Sequence, residues 1–293
     1  MLSIRKIDVF VRVAESGQVV RASEELGLTQ SAVSMALASL ESLHGGPLFH
    51  RQGKKLLLNE QGRMLLPYAR EILQSLENFS CMVRDTHGEP SGELHVGAST
   101  TIGNYLLPLL LGKFSRHYPQ AKVSLQIANT DQIALAVCDG TLDLGLIEGP
   151  CHQTQLLCQK WRDDELVVIA APTHSWSSQS TVGVMQLQQG DWIVRETGSG
   201  TREVFEAALG MAVAQLPSTL ELGHTEAIKR AVEAGLGVSC LSRLAVQSEL
   251  ELGRLVLIPT PLNLQRSLSI ICHGARYQSS LLKACVAMLS SHN

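Results

Sequence analysis

The stretch that decides the N-terminal fold is residues 22–34, with the sequence ASEELGLTQSAVS. Ser23, Gly27 and Val33 have the spacing of a helix–turn–helix, which needs a small residue in its first helix, a turn former, and an apolar residue that packs back from its second helix. Thr29 stands at the N-cap position of that second helix. An ordinary small helical bundle has the same spacing, so the pattern alone leaves DNA binding open.

A long helix is predicted to begin after Asn59, and the spacing between its apolar residues alternates between four and three residues. This spacing is typical of a helix that pairs with its copy in a second chain. The alternative is that the helix packs on its own domain. The predicted dimerisation residues are Leu65, Ala69, Ile72, Leu76, Phe79 and Val83.

Strands and helices alternate from residue 93 to the C-terminus, and two consecutive βαβ units predict a parallel sheet. A second set of strands begins near Glu165, so we expect two α/β lobes with a cleft between them. The predicted domains are a winged helix–turn–helix at 1–58, a linker and dimerisation helix with a hinge at 59–90, and an effector-binding domain at 91–293, with lobe 1 at 91–162 and 267–293 and lobe 2 at 163–266.

Four junctions between a strand and the next segment carry hydroxyl or other polar residues. Open α/β sheets place ligands beyond the carboxyl ends of their strands, and free N–H groups at helix N-termini bind anions. Plain helix capping explains any one junction, whereas the occurrence of four favours a binding site. The candidate effector-binding residues are Ser99, Thr100, Thr101, Glu148, Cys151, Thr197, Gly198, Thr201, His224 and Thr225.

Composition excludes several classes of protein. Of 293 residues, 45% are hydrophobic and 17% charged, which is incompatible with a disordered chain, and the 4% of aromatic residues disfavours a base-stacking platform. The seven cysteines include no CxxC pair, so neither a disulfide scaffold nor a structural zinc site is expected. We find no secretory signal and no apolar run long enough to span a membrane, which predicts a cytoplasmic protein.

Enzyme motifs are absent from the sequence. It has no Walker-type loop, no GxGxxG after a strand and no HExxH, and residues 97–101 do not form the GxSxG elbow. Cys151 beside His152 is better explained by a surface turn than by a thiol–imidazole pair. We therefore expect a protein that is not an enzyme and has no cofactor or metal. The alternative to a regulator is a stand-alone small-molecule binding protein, against which the helix–turn–helix and the missing signal peptide argue.

Residues 22–34, together with Leu40-Glu41, Pro47-Leu48-Phe49 and Arg51, resemble the N-terminal domain of LysR-type transcriptional regulators. The resemblance covers the whole chain. It implies an α/β protein with an N-terminal all-α winged helix–turn–helix, a long linker helix and a two-lobed effector domain like type II periplasmic binding proteins. It also implies a homodimer or homotetramer that binds a partly palindromic operator in double-stranded DNA and acts on RNA polymerase.

The recognition helix departs from the family pattern after Ser34, where Met35 and Ala36 replace a basic or amide pair. More weight therefore falls on Gln30, Ser31 and Ser34 as base-edge contacts and on the wing as a phosphate contact. The candidate DNA-binding residues are Arg21, Thr29, Gln30, Ser31, Ser34, Arg51, Lys54 and Lys55.

Segments 99–105, 147–152, 198–203 and 226–229 resemble a narrower branch of the family, the YeiE-type regulators, which are associated with sulfite. Because only Arg195 and Arg202 lie near the candidate loops, and at their edges, a small oxyanion suits the site better than a multiply charged one. Glu148 is expected to repel a fully ionised anion and to accept a hydrogen bond from a protonated one, which fits hydrogensulfite better than sulfate. It could equally hold the amine of a small amino acid.

Overall fold

The computed structural model describes residues 1–53, 55–85, 89–216 and 218–291, and the chain divides into two compact units, Met1–Thr86 and His87–Asn293. The helices are α1 (Ile4–Ser16), α2 (Val19–Glu25), α3 (Gln30–His44), α4 (Glu60–Arg84), α5 (Thr100–Tyr105), α6 (Leu107–His117), α7 (Thr130–Asp139), α8 (Val184–Leu187), α9 (Gly200–Leu209), α10 (Thr225–Glu233), α11 (Arg243–Glu251) and α12 (Ser280–Ser291). The strands are β1 (Phe49–Gln52), β2 (Lys55–Leu58), β3 (Gly92–Ser99), β4 (Ala121–Ala128), β5 (Leu144–Glu148), β6 (Leu156–Ala170), β7 (Asp191–Val194), β8 (Ser218–Glu221), β9 (Ser239–Ser242), β10 (Val256–Leu257) and β11 (Gln265–His273). None of the described helices is both long and apolar enough to cross a bilayer.

The first three helices pack around one apolar core, which confirms the predicted helix–turn–helix. Phe10 and Val33 are buried in this core. Gly27 turns the chain between α2 and α3 with φ +62°, a left-handed conformation that favours glycine. Thr29 Oγ1 accepts a hydrogen bond from the N–H of Ala32 at 3.3 Å, so Thr29 caps α3 as expected.

A two-stranded wing and the long helix α4 complete the N-terminal unit. β1 and β2 pair antiparallel, with Phe49 opposite Leu58. Asn59 Oδ1 accepts a hydrogen bond from the N–H of Gly62 at 2.8 Å, which satisfies one of the free donors at the start of α4. The 25 residues of α4 span about 37 Å at the usual rise of an α-helix.

The C-terminal unit is built on a sheet with strand order β10-β6-β11-β5-β3-β4, in which β9 also pairs with β6. β3 is parallel to both β4 and β5, which confirms the two predicted βαβ units. β11 is antiparallel to both β5 and β6. The parallel pair of β7 and β8 forms a separate small sheet in the second lobe.

Two long strands, β6 and β11, connect the lobes, and the sequence predicted most of β11 but only the second part of β6. We expected a strand to begin at Glu165, but β6 runs from Leu156 to Ala170. Its first part pairs with β11 in lobe 1, and its last part pairs with β9 and β10 in lobe 2. The unpredicted half contains Lys160, Arg162 and Asp163, so it lacks the apolar run on which the prediction rested.

Each lobe has its own apolar core, and these cores position the strand ends. Lobe 1 buries Ile102 and Phe114 in one cluster and Ile133 in a second cluster next to α7. Lobe 2 buries Trp192 and Phe205, whose ring centroids are 4.4 Å apart. The C-terminal ends of β3, β5 and β7 thus lead into residues that contact one another at the junction between the lobes.

Candidate effector site and DNA-binding surface

The strand-end residues singled out in the sequence are largely buried at the junction between the lobes. Six of them are hydroxyls or a carboxylate with little exposure, namely Ser99, Thr100, Thr101, Glu148, Thr201 and Thr225, and the neighbouring Ser199 is buried as well. Thr197 and His224 are exposed, and Cys151 is half-buried. Gly198 adopts a positive φ of +86° just before α9.

Glu148 bridges the two lobes. Its Oε1 accepts a hydrogen bond from the N–H of Thr101 at 2.7 Å, and its Oε2 accepts hydrogen bonds from Thr101 Oγ1 at 3.0 Å and from Thr201 Oγ1 at 3.1 Å. Arg266 Nη1 lies 2.6 Å from the same Oε2. The carboxylate is therefore occupied by protein donors. These contacts argue against the expectation that Glu148 accepts a ligand proton or holds an amine, whereas its charge still opposes a fully ionised anion.

Arg266, which the sequence analysis missed, is the central cation of the site. It lies on β11 with its side chain 1% exposed, and its Nη2 is 2.7 Å from Asp164 Oδ2. The same guanidinium donates hydrogen bonds to Thr201 Oγ1 at 2.8 Å and to Thr101 Oγ1 at 3.3 Å. One arginine thus contacts hydroxyls and carboxylates from both lobes.

A signal for Arg266 was present in the alternation of β11. Side chains two residues apart on a strand face the same way, so Arg266 shares a face with Leu268, Ile270 and Cys272. These three residues belong to the core of lobe 1. An arginine that continues a row of core residues is buried, and a buried arginine needs a carboxylate partner.

The ion pair decides the protonation state of Glu148. Burial opposes its ionisation, but the charge of Arg266, the N–H of Thr101 and the charge of Arg195 outweigh burial, so the pKa of Glu148 is lowered. Glu148 is therefore a carboxylate at neutral pH, and it forms a buried ion pair with Arg266.

Arg195 also lies inside the junction rather than at its edge, contrary to the sequence-based expectation. Its side chain is 3% exposed and pairs with Glu196, with Nε 2.8 Å from Glu196 Oε2. Its Nη2 donates a hydrogen bond to Thr100 Oγ1 at 3.1 Å. Because Arg195 follows β7 in lobe 2 and Thr100 begins α5 in lobe 1, this bond is a second link between the lobes. Arg202 remains at the periphery and pairs with Glu206 and Glu221.

A backbone contact also links the lobes, because the N–H of Asp131 donates a hydrogen bond to the Gly198 carbonyl at 3.2 Å. Within lobe 1, Thr130 Oγ1 donates a hydrogen bond to the Glu148 carbonyl at 3.1 Å. A Cβ added to Gly200 would lie 1.8 Å from that Glu148 carbonyl oxygen, so only glycine fits at the start of α9. Of the predicted residues, the hydrogen-bonded cluster around Glu148 contains Thr101 and Thr201, whereas Thr100 is bound by Arg195. In the described part of the chain the cluster does not extend to His224 or Thr225.

Ser99 stands apart from the other hydroxyls of the site. Its side chain is 2% exposed, and its Oγ has no hydrogen-bond partner among the described residues. Ser99 Oγ lies next to the Glu148 carboxylate and helps to lower its pKa. A buried hydroxyl of this kind is an available donor or acceptor at the centre of the junction.

The predicted DNA-binding residues lie on the surface of the N-terminal unit. Gln30, Ser31 and Ser34 are exposed on the first turns of α3, and Arg51 and Lys55 are exposed on the wing. Arg21 is also exposed and lies 4.0 Å from Glu25. Lys54 lies outside the described residues.

The apolar residues of α4 divide between two faces. Leu65, Ile72, Leu76, Phe79 and Val83 are exposed in the single chain. Ala69 is 8% exposed and packs on the core of its own unit, on the same side as Leu66 and Leu73. This corrects the assignment of Ala69 to the predicted dimer seam, because a side chain already buried in its own domain has little surface left for a partner.

Fold and site together define a two-part DNA-binding regulator with a two-lobed sensor domain. A family model described as the bacterial regulatory helix-turn-helix protein, lysR family, matches residues 4–63, and one described as the LysR substrate binding domain matches residues 87–293. The chain therefore belongs to the LysR family of transcriptional regulators. These families consist of transcriptional regulators rather than enzymes.

Relatives and solved structures agree with this assignment. The chain is 41% identical over 283 residues to the uncharacterized HTH-type transcriptional regulator YeiE of Escherichia coli K12, covering 96% of this chain and 95% of the relative. A full-length OxyR variant from Pseudomonas aeruginosa superposes with TM-score 0.72 at 23% identity, covering 99% of this chain and 94% of that one. The regulatory domain of Synechocystis PCC6803 CcmR in complex with 2-PG superposes with TM-score 0.62 at 29% identity, covering 69% of this chain and 97% of that one.

The lowered pKa of Glu148 predicts how acid affects stability. Because its pKa is lower in the folded chain than its ordinary value of 4.5, ionised Glu148 stabilises the fold above that pH, and this contribution is lost as the pH falls toward the lowered value. Glu148→Gln should lower the free energy of unfolding at neutral pH by about 3 kcal/mol, because it breaks a buried pair. It should also flatten the loss of stability below pH 4.5. Urea denaturation at a series of pH values measures both effects.

The matched control is Glu93→Gln, which removes an exposed carboxylate paired with Lys122. Exposed pairs contribute little to stability, so this variant should follow the wild-type curve. If Glu148→Gln loses stability in acid as steeply as the wild type, Glu148 is not the ionised group that holds the junction.

Proposed function

We propose that this regulator is controlled by a small sulfur oxyanion such as sulfite, bound at the junction between the lobes beside Ser99 and Thr100. The chain is a transcriptional regulator with an effector-binding domain, and the proposal concerns the identity and the place of its effector. The observation that carries it is the buried Ser99 Oγ, which lies beside the Glu148 carboxylate and makes no hydrogen bond of good geometry to the described residues. A polar group left unsatisfied in a protein interior costs about 1–3 kcal/mol, which a ligand oxygen would recover.

Charge favours a singly charged ligand. Glu148, Asp164 and Glu196 place three carboxylates at the junction, against the guanidinium groups of Arg195 and Arg266. A fully ionised dianion would meet an excess of negative charge, whereas hydrogensulfite carries one charge and can also donate a hydrogen bond. Since Glu148 is occupied by protein donors, the small amino acid considered from the sequence has less support.

Ligand-induced stabilisation tests this proposal. Sulfite at about 100 times its Kd should add about 2.7 kcal/mol to the stability of the folded state, which for a unit of this size raises the Tm by several degrees. Ser99→Ala should leave the ligand-free protein folded and should lose most of the rise in Tm with sulfite. Thr100→Ala should also lose the rise. Thermal unfolding with a thiol reductant present, supported by calorimetry, is the measurement.

Thr181→Ala is the matched control, because Thr181 is exposed in the same unit. It should keep the full sulfite response. Sulfate and 2-PG serve as the larger or more highly charged comparison ligands. A rise with 2-PG but not with millimolar sulfite would replace the proposed effector, and no rise with any of the three would remove the oxyanion proposal while leaving the regulator intact.

For the DNA-binding surface, we propose that Gln30, Ser31 and Ser34 contact base edges and that Arg21, Arg51 and Lys55 contact phosphates. Thr29 holds the start of α3 by capping it, and the other six side chains are exposed. Lys54 is proposed as a further phosphate contact by its position in the wing sequence. The target is a partly palindromic operator. The same proposal places the protein in the cytoplasm, where it would act on RNA polymerase. A stand-alone binding protein, the alternative from the sequence, leaves the lysR-family domain at residues 4–63 without a role.

Removing the wing charges should weaken DNA binding without changing its sequence preference. In the double variant Arg51→Gln, Lys55→Gln, the affinity should fall for operator and unrelated DNA alike, and the slope of log affinity against log salt should flatten by about one per lost phosphate contact. The matched variant Gln30→Ala should instead reduce the preference for the operator. Fluorescence titration with DNA from upstream of the protein's own gene measures both; an unchanged salt slope in the wing variant would contradict the phosphate assignment.

We propose further that α4 pairs with its copy, so that the protein is a homodimer or a homotetramer. Leu65, Ile72, Leu76, Phe79 and Val83 form an exposed apolar face on one helix, and long apolar faces of this kind are covered in coiled-coil pairs. The second chain would remove these side chains from water.

Lysine substitutions on this face should separate the two chains. Ile72→Lys with Leu76→Lys would place charge inside the seam, and we expect loss of the dimer together with operator binding in analytical ultracentrifugation and gel-shift assays. The control is Glu71→Lys, which adds positive charge to an exposed position of the same helix outside the seam. A double variant that stays dimeric would mean that another surface holds the assembly.

A further inference from the structure

Two free thiols pack at the edge of one apolar cluster in lobe 1, and a third lies on the neighbouring strand β6. The cluster contains Leu156 and Ile271 among its buried members, and Cys138 and Cys151 pack against it. Cys138 lies near the end of α7, and Cys151 lies in the loop that follows β5. None of the three, Cys138, Cys151 or Cys158, is in a disulfide.

Cys158 lies on the same side of the sheet as this cluster. Leu156 and Cys158 are two residues apart on β6, so their side chains share a face. Across the sheet, Cys158 stands opposite Ile271 in the register of β6 and β11. Cys158 is also among the groups that raise the pKa of the Cys151 thiol, which agrees with the two side chains lying close together. Register, alternation and packing thus place these two thiols together, and Cys158 is exposed to solvent.

We propose that Cys151 and Cys158 are a redox pair that forms a reversible disulfide and thereby restrains the loop beside the effector site. The oxidant is a hydroperoxide. The Cys158 thiolate attacks the peroxide, the O–O bond breaks, and Cys158 becomes a sulfenic acid while water or an alcohol leaves. The Cys151 sulfur then attacks the Cys158 sulfur, an S–S bond forms, and the sulfenic oxygen leaves as water. Two thiols lose two electrons and two protons, and the peroxide takes them up.

The order of these steps follows from exposure. Burial raises the pKa of the Cys151 thiol, so this residue forms a thiolate less readily than an unperturbed cysteine does. Cys158 is the thiol that solvent reaches. Cys158 is therefore the group that meets the oxidant, and Cys151 is the group that resolves the sulfenic acid.

The disulfide would act on the loop that joins the site to β6. This loop begins at Gly149, directly after Glu148, and the N–H of Gly149 donates a hydrogen bond to the Ser267 carbonyl at 3.2 Å. His152 Nε2 lies 2.7 Å from Glu203 Oε1, so the same loop also contacts α9 of lobe 2. Cross-linking Cys151 to Cys158 closes a ring of eight residues and limits the conformations open to the loop. The effect would not depend on which ligand the site binds.

Mass spectrometry of the full-length protein tests the bond. Cleavage after glutamate releases residues 149–165, which contain Cys151 and Cys158 but not Cys138. After treatment with hydrogen peroxide and alkylation of the remaining thiols, this fragment should lack two hydrogens, carry no alkyl group, and return to the doubly alkylated form after reduction. Cys158→Ser should abolish the cross-link, and Cys138→Ser should retain it.

Hydrogen exchange of the same samples tests the restraint. In the oxidised wild type, amide exchange in residues 149–157 should slow several-fold, and exchange at the start of α9 should change with it; neither effect should occur in Cys158→Ser. A fragment that keeps both thiols after peroxide treatment overturns the proposal, and so does a cross-link that persists in Cys158→Ser. A cross-link with unchanged exchange in residues 149–157 overturns the restraint of the loop.

Discussion

The effector domain depends on a buried cluster of opposite charges in which Arg266 pairs with Glu148 and Asp164. All three side chains are almost fully removed from water. Charges in such a place are tolerated only when they are paired and hydrogen-bonded, and here Thr101, Thr201 and Ser242 complete the bonding. The cluster contains residues from both lobes and from both connecting strands. The same interaction therefore holds the lobes in place and keeps Glu148 ionised.

This arrangement constrains how an effector can act. The lobes already contact each other through protein groups, with Arg195 bound to Thr100 and Glu148 bound to Thr201. A ligand changes a conformational equilibrium only to the extent that it binds one state better than another. An oxyanion at Ser99 would therefore act by adding to these bonds or by competing for their donors, and small changes at the junction would alter the contacts of α9 and of the loop after β5.

The site lies next to the loop after β5, which carries a thiol and an imidazole. Glu148 is the last residue of β5, and Cys151 and His152 follow it within four residues. Five consecutive residues, 148–152, thus carry the carboxylate that bridges the lobes, the thiol proposed to pair with Cys158, and the imidazole that contacts Glu203. Sensing of a small anion and sensing of an oxidant would converge on the same few backbone residues, because both change how this loop is held.

Sequence by itself determined the parts of the protein whose signals are local. The spacing of Ser23, Gly27 and Val33 defined the helix–turn–helix, because the turn and the packing of its two helices depend on residues that lie within about a dozen positions of one another. Alternation of strands and helices likewise predicted the βαβ units. Most of the hydroxyl residues at the junction, such as Thr100 and Thr201, were identified because strand ends in an α/β sheet converge.

Only the tertiary structure decided which charges meet. Arg266 is 165 residues from Thr101 along the chain, and its pairing with Glu148 depends on β6 and β11 passing through both lobes. The charged half of β6 carries no apolar pattern, so the strand that places Asp164 beside Arg266 was not predicted. Ala69 shows the same limit, since helical spacing gives its position on α4 but not which neighbour covers it. Local sequence determines the geometry of each element, whereas the partners of a buried charge depend on how distant elements pack.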